Sequence, residues 1–460
     1  MPEVRPTKVR YLILAALFAI SSFSYGDRVV LSIASIAFTR DLHLNAIQLG
    51  YLLSGFSWAY VVAQLPSGWM LDRFGTKRIY GVAILLWSAL AAAVGFAGYL
   101  HGSLTLKAGT AIGTAFVAIF ALRLLSGLAQ SPVFPGNGRV VAAWFPSTER
   151  GMASAIFNSS QYFSVVLFGP LMGWVAGAYG WKQCFWLLGL IGLMLALLWF
   201  RVIHDVKSHP AVNAAEIDTI ERGGGLCVIG AFPTSGPKSG AGSNPKLTWD
   251  IVFRLFGTRM LFGIYLGQYC IVTLTWFFLS WFPVYLHQVL HMSLPKAGLA
   301  SALPAFCGFA GGVLGGIASD RLLAAGRSVS LARKLPIVLG MTLAMSIMLC
   351  NLVTSTAVVI ALMSLAFFGK GFGALGWTVI SDTSPRGMVG LNGGLFNLCG
   401  NIAGITTPIF IGYLVQRTGN FRIALMFVGI TALMAIVSYV VIAGPIRRLT
   451  PEDLGLAPTR

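Results

Sequence analysis

Apolar runs long enough to cross a bilayer alternate with short polar turns along almost the whole chain. A spanning helix needs about 20 apolar residues. Runs of that length fall near 11–37, 48–71, 79–100, 109–133, 151–176 and 183–203. Six more fall near 259–286, 297–319, 335–353, 355–381, 389–415 and 421–444. The two groups of six are separated by a polar stretch from His204 to Asp250, which carries Glu216, Asp218, Glu221, the Gly223 to Gly225 run and a Ser/Gly/Pro-rich tract. The pattern predicts an all-α membrane protein with twelve transmembrane helices in two pseudo-symmetric six-helix bundles. The expected boundaries are 1–203 for the first bundle, 204–255 for a cytoplasmic linker and 256–460 for the second bundle.

Composition excludes a soluble domain: the 460 residues are 56% hydrophobic and 10% charged. With both termini inside, 23 of the 32 Lys and Arg lie on the inner side. Arg40, Lys107, Lys182, Lys296, Arg417 and Arg422 lie outside, and Arg28, Arg123 and Lys370 lie within spans. The positive-inside rule therefore places both termini in the cytoplasm. The net charge of +18 is scattered over short loops, which suits retention at an anionic inner leaflet and not nucleic-acid binding. The six cysteines are dispersed without metal-ligand spacing, so neither zinc nor a disulfide framework is expected. The first apolar run has spanning length and no small-residue cleavage site after it, so it reads as helix one and not as a removable signal.

Against this background Asp27 and Arg28 stand out, adjacent and near the middle of the first span. A charge there costs at least ~2.5 kcal/mol and marks a bundle interior or a wet cavity. The bland alternative is an ion pair that neutralises itself, but neighbours on a helix face each other poorly and each would need its own partner. Of the 14 acidic residues only Asp27 is deep, and Asp382 sits at the inner end of span ten. If protons are carried, Asp27 is the residue to carry them, its pKa set between desolvation and the neighbouring Arg28. Arg28 suits a substrate carboxylate, because its planar fork matches that group with two hydrogen bonds. Arg123 lies seven residues before Gln130 and shares its face of span four.

Between spans two and three the chain reads Gly68-Trp69-Met70-Leu71-Asp72-Arg73, and between spans eight and nine Gly316-Ile317-Ala318-Ser319-Asp320-Arg321. The same Gly-x-x-x-Asp-Arg at equivalent loops implies duplicated bundles, with a ligand site expected between them near the midplane. In each copy the Gly would allow close helix approach and the Asp would cap a helix N-terminus.

With these loops the chain resembles the major facilitator superfamily. The segments Ser24-Tyr25-Gly26-Asp27-Arg28, Trp58-Ala59-Tyr60, Phe134-Pro135-Gly136-Asn137, Ala143-Trp144-Phe145-Pro146, Ile156 to Phe163 and Phe368 to Trp377 narrow the resemblance. They are similar to those of the bacterial glucarate and galactarate transporters of the anion:cation symporter branch. That branch also holds D-galactonate permeases and, more distantly, sialin and the vesicular glutamate transporters.

The resemblance implies proton-coupled import of sugar diacids across the bacterial inner membrane by alternating access. No cofactor is implied beyond the coupling proton, and a monomer is expected. It also assigns Tyr25, Tyr60, Gln161, Trp377 and Asn397 to the cavity wall, beside Arg28. Each of these also suits plain helix packing. Relatives usually carry Glu where this chain has Gln130, so the second proton site of the family is replaced by a group that cannot titrate. Arg123 reads either as a gating residue or as a structural partner of backbone carbonyls or Gln130.

Lys370 lies mid-span, seven residues before Trp377 and so on one face of a continuous helix ten. A diacid has a carboxylate at each end, and Lys370 would hold the one that Arg28 does not. D-Galactonate permeases, whose substrate is a monoacid, place Asn there. The alternative is that Lys370 snorkels to a span end or meets a carbonyl cluster. The Gly308 to Gly316 and Gly390 to Gly404 runs have small-xxx-small spacing for helix packing and lack the lysine of a phosphate loop. A membrane enzyme would need a nucleophile with its base, or a metal cluster, in the spans, and neither is present in the sequence. An uncoupled facilitator or exchanger of sugar acids, or a carrier of a monoacid such as D-galactonate, remains the alternative.

Overall fold

The computed structural model describes residues 6–100, 102–105, 111–230, 249–385, 388–450 and 453. Lys107 and the Ser/Gly/Pro-rich tract of the expected linker lie outside them. Twelve helices among the described residues are long and apolar enough to cross a membrane. The first six are Val9–Asp41, Ala46–Gln64, Thr76–Ala97, Thr114–Trp144, Arg150–Ala178 and Trp181–Val202. The second six are Arg259–Gln288, Leu294–Ala324, Val329–Leu352, Thr356–Thr383, Val389–Thr418 and Arg422–Ile442. They are numbered one to twelve below. Span four starts later than hydropathy suggests, because Ala111–Gly113 instead pairs antiparallel with Ser103–Thr105 in a short ribbon. Hydropathy alone does not separate a short apolar strand from a helix start.

Two compact units form: Met1–Gly236 with Ser293–Gly298, and Pro237–Met292 with Leu299–Arg460. In the first, span four is broken between Gln130 and Val133, where Pro132 lacks an N–H. A Cβ on Gly127 would lie 2.1 Å from the Phe56 carbonyl oxygen, so only glycine lets span four press against span two at this level. In the second unit span ten is broken between Phe372 and Gly376. Just before that break, glycines grip it on two sides. A Cβ on Gly369 would meet Gly340 O of span nine at 2.3 Å, and one on Gly371 would meet Gly308 O of span eight at 2.0 Å.

The expected linker is in part a built element of the first unit. Ala214–Arg222 is a helix capped by its own Asn213, whose side chain accepts from Glu216 N–H at 2.9 Å. Glu216 is fully buried, and its carboxylate accepts the Val9 and Arg10 backbone N–H groups at 3.1 and 3.2 Å and the Thr7 hydroxyl at 2.6 Å. Span one has no side-chain cap of its own and no acidic residue in its first turn, so the linker helix caps it from outside. Arg10 completes the contact by bonding both Glu216 and Glu149. Farther on, Cys227 N–H bonds Ala143 O, and Ile229 O accepts from Thr76 N–H.

The repeated loop chemistry differs from expectation. Asp72 and Asp320 are not N-caps: each lies near the C-terminal end of its helix and reaches an arginine of another span, Asp72 to Arg139 at 2.7 Å and Asp320 to Arg333 at 3.4 Å. A carboxylate at a helix C-terminus opposes the macrodipole, so a cation from elsewhere is the physical answer. Nor do Gly68 and Gly316 mark close packing, since a Cβ on either would meet nothing within 4 Å. Arg73 lies over the Trp69 and Phe74 rings, and Arg321 is exposed.

Candidate functional site

The site of the first unit is built from two helix stripes. On span one Ser24, Asp27 and Arg28 fall within one turn, at the i, i+3 and i+4 spacing that shares a face. On span four Arg123, Gly127 and Gln130 form a second stripe, and the missing side chain at 127 lets its neighbours reach across. Asp27 is 1% exposed, and its Oδ2 accepts from Arg123 Nη1 at 2.8 Å and from Gln130 Nε2 at 3.0 Å. Gln130 Oε1 in turn accepts from Ser24 Oγ at 2.8 Å. Asp27 Oδ1 is buried without a hydrogen-bond partner among the described residues.

This corrects two expectations. The cation that balances Asp27 is Arg123 and not the adjacent Arg28, and among the described residues Arg123 is neither held by backbone carbonyls nor bonded to Gln130. Successive side chains leave a helix about 100° apart, so Asp27 and Arg28 face different neighbours. Arg28 instead lies against aromatic rings. Its guanidinium carbon is 4.4 Å from the Phe56 centroid, 4.7 Å from that of Tyr25 and 5.6 Å from that of Tyr60. Ser24 and Phe56 were not legible as site residues. Ser24 carries a signal in being polar one turn before Asp27 and in opening the Ser24 to Arg28 segment, and Phe56 carries none. Gln161 is half-buried on span five, one residue before the buried Tyr162.

In the second unit Lys370 is 4% exposed, its ammonium 5.5 Å from the Phe367 ring centroid. Lys370 and Trp377 do not share a face of one helix. Lys370 ends Thr356–Phe372 and Trp377 begins Gly376–Thr383, and the break between them cancels the seven-residue periodicity. The glycines at 371, 373 and 376 make that break inexpensive. Trp377 is half exposed and meets Phe396 edge-on at 5.3 Å; Asn397, half-buried, lies one residue beyond Phe396 on span eleven. Arg333 gathers two carboxylates of this unit, bonding Asp382 at 2.8 Å as well as Asp320.

The family description Major Facilitator Superfamily matches residues 16–408. A probable galactarate/D-glucarate transporter of Bacillus subtilis is 51% identical over 448 residues, covering 97% of this chain and 95% of the relative. One of Escherichia coli is 48% identical over 443 residues, covering 96% and 95%. A D-galactonate transporter of Escherichia coli is 35% identical over 445 residues, covering 97% and 98%. Among solved structures, a D-xylose-proton symporter superposes with a TM-score of 0.68 at 13% identity, over 95% of this chain and 99% of that one. That likeness speaks to the fold alone.

Proposed function

The chain belongs to the major facilitator superfamily, and from that premise we propose that it imports sugar diacids of the D-glucarate and galactarate type by proton symport and alternating access. The direction is inward across the bacterial inner membrane, with both termini in the cytoplasm and a division of the chain into 1–203, 204–255 and 256–460. The observation that carries the reading is the buried Asp27, paired with Arg123 at 2.8 Å. Among the described residues it is the one acidic side chain buried at the depth of the spans.

Electrostatics then link proton and substrate. Protonating Asp27 removes the countercharge of Arg123 and makes the surroundings more positive by one charge, which favours an incoming anion. By reciprocity an anion on Arg28 favours the protonated carboxyl. Gln130 takes no part in titration. Its amide donates to Asp27 whichever form the acid takes, as a protonated Glu would, so Asp27 alone supplies the titrating group. Arg28 holds one substrate carboxylate with its fork, and Tyr25, Tyr60, Gln161, Trp377 and Asn397 bond or stack on the polyhydroxylated chain. Lys370 gives the second unit a buried cation for the second carboxylate of a diacid. No cofactor enters the cycle.

Uptake of labelled glucarate and galactarate into vesicles, with and without an inward proton gradient, tests this reading. Accumulation above equilibrium should require the gradient. Gln130 favours one other reading, an uncoupled facilitator, and equilibration at the same rate and extent with or without the gradient would establish that reading instead.

A further inference from the structure

Phe56 lies on span two, 1% exposed, and two guanidinium groups address its ring: that of Arg28 at 4.4 Å from the centroid and that of Arg123 at 5.6 Å. The same ring stacks on Tyr60 at 5.2 Å with the planes 26° apart. The two arginines have different electrostatic surroundings. Arg123 is neutralised by Asp27, whereas the contacts of Arg28 include the Tyr25 and Tyr60 rings as well as Phe56. Two like charges sharing one buried ring repel each other.

We propose that Phe56 is a positioning residue that keeps the two arginines to separate roles. Its negative ring face attracts both guanidinium groups and offsets part of their repulsion. It thereby orients the Arg28 fork along the aromatic wall, in the pose that meets a substrate carboxylate. A leucine of similar bulk would fill the space without the ring quadrupole. Arg28 would then keep the Tyr25 and Tyr60 rings but lose the nearest ring that orients its fork. The proposal rests on the reading of Arg28 as carboxylate clamp. It adds that the clamp is oriented by a residue that touches neither the proton nor the substrate.

The test replaces Phe56 in the full-length transporter, reconstituted in vesicles, with labelled glucarate as probe and rates normalised to folded protein. Phe56→Leu should raise KM about three- to thirty-fold with turnover changed less than about two-fold, the range expected of one desolvated cation–π contact. Phe56→Tyr, which keeps the ring, should stay within about two-fold of native KM. Should the Leu variant fail to fold, 3,4,5-trifluorophenylalanine at position 56 keeps the shape and withdraws the ring's negative face, and KM should rise with the degree of fluorination. An unchanged KM in the fluorinated protein, or equal losses in the Leu and Tyr variants, overturns the proposal and leaves Phe56 a packing residue. Arg28→Lys is the separate control. If it leaves KM unchanged, the clamp reading itself fails; if KM rises there but not on fluorination, only the role of Phe56 fails.

Discussion

Spans four and ten hold matching places in the two groups of six, each is broken, and each carries a buried cation ahead of its break, Arg123 in one and Lys370 in the other. The likeness ends there. Arg123 meets a buried carboxylate, whereas the carboxylates of the second unit that pair with Arg333, Asp320 and Asp382, stay more exposed. One unit therefore buries its cation against a carboxylate, and the other buries Lys370 beside the Phe367 ring. The two units offer similar frames, and among the described residues a single acid buried within a span of one of them makes the difference.

The largest expected effect comes from removing that acid. Asp27→Asn should abolish gradient-driven accumulation altogether while counterflow exchange of labelled substrate persists, since Arg28 is untouched. It should also lower thermal stability by about 3 kcal/mol, because Arg123 is left buried without its counterion. Accumulation at near-native rate in Asp27→Asn vesicles would end the comparison, for the proton would then enter elsewhere.

Next comes the buried lysine of the second unit. Lys370→Asn should raise KM for glucarate and galactarate at least ten-fold, about 1.4 kcal/mol or more, and that for the monoacid D-galactonate by less than about two-fold. Equal losses for all three substrates would make Lys370 structural. A smaller, opposite change is expected from Gln130→Glu, which adds a second titratable group beside Asp27. Gradient-driven uptake should rise a few-fold and its pH dependence should move. Identical uptake by the two proteins from about pH 5 to pH 8 would show that position 130 handles no protons here. The smallest effect should come from Asp72→Asn. The Asp72 carboxylate is two-thirds exposed, so its bond to Arg139 should contribute no more than about 1 kcal/mol to thermal unfolding.

The spans were legible because a bilayer demands long apolar runs, and all twelve expected runs have a helix. Asp27 was legible for the same reason in reverse, as a charge where none is cheap. Its partner was not: Arg123 lies 96 residues away, and the side-chain pairing depends on how spans one and four cross. The breaks in spans four and ten escaped hydropathy, which does not register a lost helical turn. The break in span ten undid the face assigned to Lys370 and Trp377. The Asp-Arg loops illustrate a further limit. Their recurrence falls one copy to each unit, but the expected capping role failed because whether an aspartate starts or ends a helix depends on where the helix stops, a matter of one turn.

The cap that Glu216 places on span one also orders events in time. Span one leaves the ribosome ahead of the linker helix, and the residue that satisfies its opening N–H groups follows about two hundred positions later. At about 5 to 20 residues per second, roughly 10 to 40 s separate the two. Through that interval the start of the first helix must find its hydrogen bonds in water or at the lipid surface. The six-span half is therefore not finished when its sixth span is inserted. A nascent chain stopped at residue 203 would hold every membrane helix of that half and still lack the piece that fastens the first one.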